Sequence, residues 1–405
     1  MKVLMATADH LMIDRRILQE AKSLVGQGHE VILLAGFECP RRESYVLDGI
    51  KIERFVYDWS DSRFAALAKR LRLTPGEWSY RVLWRAFRVL ASRVAPLSSF
   101  EQFVLDRMLE YQLDIIHVHD YPMLASGVAL ARARNVPLVY DAHELYYAQV
   151  QLPERVQRKY KKREASLIRH ADAAITVNPY IARIMADRYG VQPPSVIVNA
   201  APLRPIEEQR PLRERFNLTD DTRIVLYQGW ISDNRGIERI VQAVEGFSPG
   251  VVLVIVGYGD YEKQLKMLVA EKGLADRVFF YGGVPSDELH PLTCDADLGV
   301  IPYHGVDENN YFCSPNKLFE FAIAGLPFVC NDLPYLRDVA TRYGNGLLAD
   351  LNSPASMAEA INRVFSDLNS LDQLREGAMR AREEMNWEVE EQKLFDIYRK
   401  LEAHA

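Results

Sequence analysis

The sequence predicts an α/β protein made of two successive doubly wound halves, and three observations carry that prediction. Short continuous apolar runs recur along the chain, each followed by a helical pattern, which is the rhythm of buried parallel strands in βαβ units. The rhythm stops at residues 199–211 (NAAPLRPIEEQRP), where three prolines mark a linker, and then restarts. At 405 residues, 48% hydrophobic and 26% charged, the chain can bury two cores of ordinary globular composition.

The elements follow in order. Val3–Ala6 is the first apolar run. Arg15–Gly26 continues as a helix with Ile17, Ala21, Leu24 and Val25 on one face. Gly28 ends that helix before a second strand at Val31–Leu34. Further strands of the first half are expected at Ile115–Val118, Leu138–Tyr140, Ala174–Val177 and Val196–Val198. The second half offers Ile224–Tyr227, Val251–Val256, Val278–Tyr281, Leu298–Ile301 and Phe328–Cys330, with helices between them. A helix from Trp387 to Leu401 closes the chain with no strand after it. The expected division is 1–200, 201–383 and a closing segment, 384–405, that packs back on the first domain. In open α/β sheets ligands bind beyond the carboxyl ends of the strands, so the motif-bearing loops are expected to face a shared central cleft.

Composition narrows the classes. Cys39, Cys294, Cys313 and Cys330 show no Cys-x-x-Cys spacing, which argues against a zinc knuckle or a thioredoxin-type centre and fits a reducing cytosol. The opening MKVLMATADH reads as a strand rather than a signal peptide, and no stretch approaches the ~20 apolar residues of a spanning helix. A net charge of −6 argues against a nucleic-acid partner. The charge is uneven: residues 1–200 hold 28 Lys and Arg against 22 Asp and Glu, whereas the remainder holds 21 against 33. Such asymmetry points one half towards an anionic surface or partner.

The strongest local signal is Ser314–Pro327 (SPNKLFEFAIAGLP). Ser314 then Pro315 reads as an N-cap and first helical position, with Gly325 as the stop. A helix N-terminus presents free N–H groups and the positive end of a dipole, which suits a diphosphate, and Lys317 adds a full charge. Asn316 and Glu320 share a face, and a carboxylate there can accept both hydroxyls of a ribose.

This segment resembles the donor-site helix of the family 4 retaining glycosyltransferases, the sucrose synthase and lipopolysaccharide glucosyltransferase type with a GT-B fold. The likeness runs along nearly the whole chain. Leu226–Ile237 (LYQGWISDNRGI) resembles the glycine loop after the first strand of the family's second domain, and Val254–Gly259 (VIVGYG) resembles its VxGxG turn. Phe279–Val284 (FFYGGV) resembles the loop that grips the base, and Ala296–Tyr303 (ADLGVIPY) the strand leading to the donor helix. Trp387 to Tyr398 resembles the closing helix. The resemblance implies a donor site of Gly229, Arg235, Gly257, Tyr281, Gly282, Gly283, Ser314, Pro315, Asn316, Lys317 and Glu320. Glu320 would bind the ribose, Lys317 and Arg235 would neutralise the diphosphate, and Gly282 and Gly283 would admit the base. Two positions depart from the pattern. Trp230 stands where relatives often carry Arg, and Phe312 stands eight residues before Glu320, where they often carry a sugar-binding Glu. Glu308 or Asn309 could substitute for the latter.

The first half supplies polar groups at strand ends. Asp114–Pro122 (DIIHVHDYP) places His117 and His119 on one face of a strand, with His119 and Asp120 at its end. A metallo-hydrolase pattern of the His-x-His-x-Asp-His kind would need two further residues in register, and they are absent, so no metal is expected. His119 matches the family's histidine near the transferred sugar, although a purely structural histidine pair is the alternative. Tyr140–Tyr147 (YDAHELYY) puts Asp141, His143 and Glu144 after a second buried strand. There Glu144 either orients and deprotonates the acceptor or serves as a helix-start carboxylate. The loop Ala8–Arg16 (ADHLMIDRR) lacks the paired glycines of many relatives and offers His10, Asp14 and Arg15 instead. The expected catalytic set is therefore His119, Arg235, Lys317 and Glu144, and the expected acceptor set is His10, Asp14, Arg15, Asp141 and His143.

Residues 62–94 hold eight Arg and Lys against the single acid Glu77. From Tyr80 the pattern is helical, with Trp84 in an apolar stripe and Arg81, Arg85 and Arg88 largely opposite. That surface suits an anionic membrane, or else the stripe packs into the core. Arg155–Arg163 forms a second basic cluster.

The resemblance thus implies a cytoplasmic, retaining glycosyltransferase, peripheral at the inner membrane face. It would move a sugar from a nucleotide-sugar donor to a glycan, glycolipid or lipid-linked acceptor in cell-surface polysaccharide synthesis. The nucleotide-sugar is a co-substrate, and no cofactor or metal is expected. An NAD(P) enzyme is the first rival, but Gly257-Tyr258-Gly259 lacks the third glycine of G-x-G-x-x-G. A nucleotide-sugar 2-epimerase and a non-catalytic nucleotide-sugar or membrane binder with a decayed site are the others.

Overall fold

The computed structural model describes residues 1–9, 13–57, 68–74, 77–79, 82–83, 97–149 and 152–403. The chain forms two compact units. Unit 1 comprises Met1–Tyr147, Leu152–Val196 and the residues from Leu394 onward; unit 2 comprises Ile197–Lys393 and a short segment beginning at Ala148.

In unit 1 the elements run β1 (Lys2–Ala6), α1 (Arg15–Gly26), β2 (Glu30–Leu34), β3 (Glu38–Leu47), β4 (Ile50–Val56), α2 (Ser99–Met108), β5 (Ile115–His119), α3 (Asp120–Arg134), β6 (Leu138–Ala142), α4 (Glu154–Leu167), β7 (Ala173–Thr176), α5 (Pro179–Tyr189) and β8 (Ser195–Val196). The sheet order is β3-β4-β2-β1-β5-β6-β7-β8, parallel except for β3. The order reverses between β1 and β5, where a doubly wound sheet opens its crevice. Val3, Leu4, Met5 and Ala6 are all buried, as expected of a strand covered on both faces. The hairpin of β3 and β4 was not among the expected strands. Its β3 residues alternate little and are mostly exposed at the sheet edge.

Unit 2 runs α6 (Pro211–Phe216), β9 (Arg223–Gln228), α7 (Ile237–Ala243), β10 (Val251–Val256), α8 (Glu262–Glu271), β11 (Val278–Gly282), α9 (Leu289–Cys294), β12 (Leu298–Ile301), α10 (Glu308–Tyr311), α11 (Asn316–Ile323), β13 (Phe328–Cys330), α12 (Pro334–Tyr343), β14 (Gly346–Leu348), α13 (Pro354–Ser366), α14 (Leu368–Glu384) and α15 (Trp387–Glu402). Its sheet, β11-β10-β9-β12-β13-β14, has the doubly wound order with its switch point between β9 and β12. Val225, Leu253, Ile255 and Val300 fill the core with Ile240 and Ile361 from the covering helices. Gly299 has no side chain because the Phe321 ring of α11 occupies that space, which docks α11 directly on β12. The last turns of α15 cluster with unit 1, where the Tyr398 hydroxyl lies 3.1 Å from His117 Nδ1. Among the described residues no helix is long and apolar enough to cross a membrane.

Candidate active site

In unit 2 the chemistry gathers around β9 and the start of α11. Pro315, with φ −70° and ψ 136°, is the N-cap and α11 begins at Asn316. The expectation that Ser314 caps the helix is corrected by one residue: Pro315 fixes the extended backbone there, and no side chain caps the end. Lys317 in the first turn is only 4% exposed, and its Nζ has no hydrogen-bond partner among the described residues. The ammonium lies 3.6 Å from the ring centroid of Tyr227 and 5.0 Å from that of Tyr303. Burial, with Arg235 nearby, pushes its pKa well below the usual lysine range. Glu320 acts on it only at longer range, and no carboxylate stands within salt-bridge distance among the described residues, so this cation on two aromatic faces lacks a contacting anion.

Arg235 reaches the same place from the turn after β9. Its guanidinium lies 4.8 Å from the Tyr303 centroid and donates to the Tyr303 hydroxyl. Gly236 makes that turn possible: its φ is +72°, and a Cβ would stand 2.5 Å from the Pro302 carbonyl oxygen. Half-buried Glu320 accepts from Gln228 Nε2 at 2.5 Å, and Gln228 Oε1 accepts from Thr293 at 2.9 Å. Asn316 is exposed and accepts from Asn199 at 3.0 Å. The glycine turns of β9, β10 and β11 interlock. Gly257 N–H donates to the Gly282 carbonyl and Gly229 N–H to the Val256 carbonyl, both at 2.9 Å. Gly283 lies against the ring of Tyr258, and Tyr281 is covered by Arg215 at 4.1 Å. Phe312 packs edge-on against Tyr311 rather than presenting a carboxylate.

In unit 1 a buried charge network fills the ends of β1, β5 and β6. Arg16 donates to Asp141 through Nε at 2.9 Å and Nη2 at 3.1 Å, and Nη2 also lies 3.1 Å from Glu20. Asp141 Oδ2 faces His143 Nε2 at 3.0 Å and His119 Nδ1 at 3.3 Å. His143 Nδ1 lies 3.4 Å from Asp120, whose other oxygen accepts the His143 backbone N–H at 3.0 Å. Burial alone would raise Asp141, but Arg16, His143 and His119 hold it well below the usual carboxylate range. Burial would discharge His143, yet Asp120 and Asp141 raise its pKa to about 10. Burial lowers His119, so its ring is neutral. His119 Nε2 is buried without a hydrogen-bond partner among the described residues. Asp120 carries a left-handed φ of +61°, a strained conformation for a non-glycine residue.

Of the remaining expectations, Asp14 caps α1 by accepting from Arg16 N–H at 2.8 Å, and Arg15 and Glu144 are half-buried. His10, Arg81, Trp84, Arg85 and Arg88 lie outside the described residues. The structure adds two residues that the sequence reading did not single out, Arg16 and Glu20, and it gives Asp120, read there only as a strand-end acid, a partner in His143. Arg16 and Glu20 were findable, since both interrupt the apolar face of α1 that carries Ile17, Ala21 and Leu24. Ligand atoms of Glu20, His117, His119 and Asp141 lie within 4.8 Å of one another. A divalent cation there would have to displace the Arg16 guanidinium from both carboxylates.

Comparison with known proteins bears on both units. Residues 13–203 match the model described as Glycosyltransferase Family 4, and residues 208–381 match Glycosyl transferases group 1. A D-inositol 3-phosphate glycosyltransferase of Acidothermus cellulolyticus is 28% identical over 309 residues, 71% of this chain and 67% of that protein. Among solved structures, the sucrose-phosphate synthase of Thermosynechococcus elongatus superposes with a TM-score of 0.68 at 19% identity, covering 100% of both chains. The Anabaena protein HepE, solved in complex with UDP and glucose, gives 0.69 at 17% identity, covering 99% of this chain and 100% of that one.

Proposed function

Because the chain belongs to the family 4 glycosyltransferases, with a group 1 second half and a GT-B architecture of two α/β units, we propose that it is a retaining, metal-independent enzyme. It takes a nucleotide-sugar and glycosylates a glycan, glycolipid or lipid-linked acceptor in cell-surface polysaccharide synthesis. The observation that carries the reading is the buried Lys317 ammonium, held on Tyr227 and Tyr303 with no carboxylate in contact among the described residues. Arg235 and the free N–H groups at the start of α11 complete an electropositive seat for a diphosphate.

In the reaction the bond between the sugar C1 and the diphosphate oxygen breaks, and C1 bonds to the acceptor oxygen on the same face. The acceptor proton passes to the departing diphosphate. Lys317 and Arg235 stabilise the charge that develops on that leaving group, and fixed cations in a dry site do so without reorganising. Glu320, oriented by the buried Gln228 amide, holds the ribose. His119, which by resemblance is the family's strand-end histidine, is neutral, and its Nε2 has no hydrogen-bond partner among the described residues. Peripheral binding to an anionic membrane belongs to the same reading, supported by exposed Arg155, Arg158, Lys159 and Lys162 on α4.

Calorimetric titration with UDP, GDP and ADP tests the reading, with Glu320→Ala beside wild type. One nucleoside diphosphate should bind, and the variant should weaken it; equal affinity in both would remove Glu320 from the donor site. Full activity after EDTA treatment is expected, and loss restored by Mg²⁺ would overturn the metal-independent part.

A further inference from the structure

Two large aromatic side chains of unit 2 stand in water beside the diphosphate seat. Trp230 is 46% exposed and Tyr258 43%, and their rings meet edge to face with centroids 5.0 Å apart at 78°. The backbone fixes both. Ile231 N–H donates to the Tyr258 carbonyl at 2.9 Å, and the Tyr227 hydroxyl donates to the Trp230 carbonyl at 3.0 Å. Glycine is required for this interlock, because a Cβ on Gly257 or Gly259 would land on the carbonyl oxygen of Gly229 or Ile231. An aromatic pair held rigidly at the rim forgoes the burial that normally rewards such side chains.

The neighbours indicate what the pair meets. Lys317 Nζ lies 3.8 Å from where a Cβ on Gly229 would stand, one residue before Trp230. At the other side the Tyr258 ring lies against Gly283, 2.7 Å from its Cβ position, in the turn after β11. The backbone that carries the pair therefore runs from beside the Lys317 ammonium, at Gly229, to the next glycine turn, at Gly283. We infer that Trp230 and Tyr258 form the stacking face for the nucleobase of a nucleoside diphosphate whose phosphates sit at Lys317, and this inference rests on the donor reading above. With the rings at 78°, one of them offers its flat face to a planar base while the other closes the corner against the base edge. Trp230 then contributes base affinity at a position where a cation would have contributed phosphate affinity.

The test is calorimetry on the full chain with UDP, GDP, ADP and inorganic pyrophosphate, using wild type, Trp230→Ala, Trp230→Phe and Tyr258→Ala. Pyrophosphate carries the charges without the base, and the nucleoside diphosphates carry no sugar, so the comparison isolates the nucleoside. Trp230→Ala should weaken the tightest nucleoside diphosphate by roughly ten- to a hundredfold, the scale of one base–aromatic stack. Trp230→Phe should keep most of that affinity, which also guards against a misfolded alanine variant, and pyrophosphate binding should not change. Unchanged nucleotide affinity in both alanine variants overturns the inference. So does a parallel fall in pyrophosphate affinity, which would place Trp230 on the phosphates. A wild type that binds pyrophosphate but no nucleoside diphosphate refutes the donor reading itself, and the stacking face with it.

Discussion

Replacing Asp141 by Asn isolates the buried network of unit 1. Asp141 and Arg16 are 0% and 3% exposed, so their charges are paired in the absence of water. Removing one member of a buried ion pair costs ~3–5 kcal/mol, because the survivor stays charged and dry. Two features place this variant at the low end. Glu20 remains 3.1 Å from Arg16. Its carboxyl, pushed up to about 8 by burial and by the Asp141 charge, ionises more readily once that charge is gone. A substitute anion thus forms beside the guanidinium, and the expected loss in unit 1 is about 3 kcal/mol. Asp141 sits well below the usual range, so its contribution is complete above the unfolded value of ~3.9 and fades as pH falls. The gap between wild type and variant should therefore narrow in acid. His143 gives a second readout, because losing Asp141 must lower its pKa from about 10, visible by NMR titration of the ring. Stability is best read by hydrogen exchange in urea, which resolves the two units, since a single transition is not assured for such a chain. A loss below ~1 kcal/mol, with His143 unmoved, would refute the view that this network is a mutually compensated ion cluster.

Three further outcomes follow from the same reasoning. Lys317→Met removes an unpartnered buried cation, so unit 2 should gain about 1–3 kcal/mol in urea unfolding while nucleoside diphosphate binding disappears. A variant less stable than wild type would show that the ammonium was already compensated. Burial and Arg235 hold the Lys317 pKa down, so diphosphate binding should take up a proton at alkaline pH; calorimetry in two buffers of different ionisation enthalpy measures it, and zero uptake contradicts it. Gly257→Ala would drive a Cβ into the Gly229 carbonyl, and should destabilise unit 2 by more than ~2 kcal/mol by thermal unfolding.

Most of the fold was readable because buried parallel strands are written as unbroken apolar runs. Val251–Val256 and Leu298–Ile301 were expected at the bounds that the structure shows. The β3–β4 hairpin was not, because β3 runs along an exposed edge through Cys39-Pro40-Arg41-Arg42, where neither period survives. β14 escaped for a similar reason, its three residues all being only half-buried. Helix α11 was legible from local chemistry: proline, lysine and glutamate at helical spacing need no long-range partner to be noticed. The network of unit 1 was not, because its meaning lies in pairs far apart in sequence. Arg16 meets Asp141 across 125 residues, and a charged residue on an apolar helix face gives no hint of which strand end will receive it. Asp120 was seen only as a strand-end acid; its left-handed backbone and its grip on His143 arise from the turn into α3.

The two units also resolve the charge asymmetry of the sequence in an unexpected way. The basic first half is the expected place for an anion. Among the described residues of unit 1, however, the buried cations already face acids: Arg16 faces Asp141 and Glu20, and His143 faces Asp120 and Asp141. Its positive excess lies in exposed residues such as Arg155, Arg158 and Lys159, where water and salt screen each charge. The acidic second half holds instead a dry lysine on two aromatic rings. One desolvated cation attracts a diphosphate more strongly than several solvated ones, because its field is not shared with water. Net charge by half is therefore a poor guide to the anion site. The informative quantity is which cation the fold buries without a partner, and among the described residues Lys317 answers it.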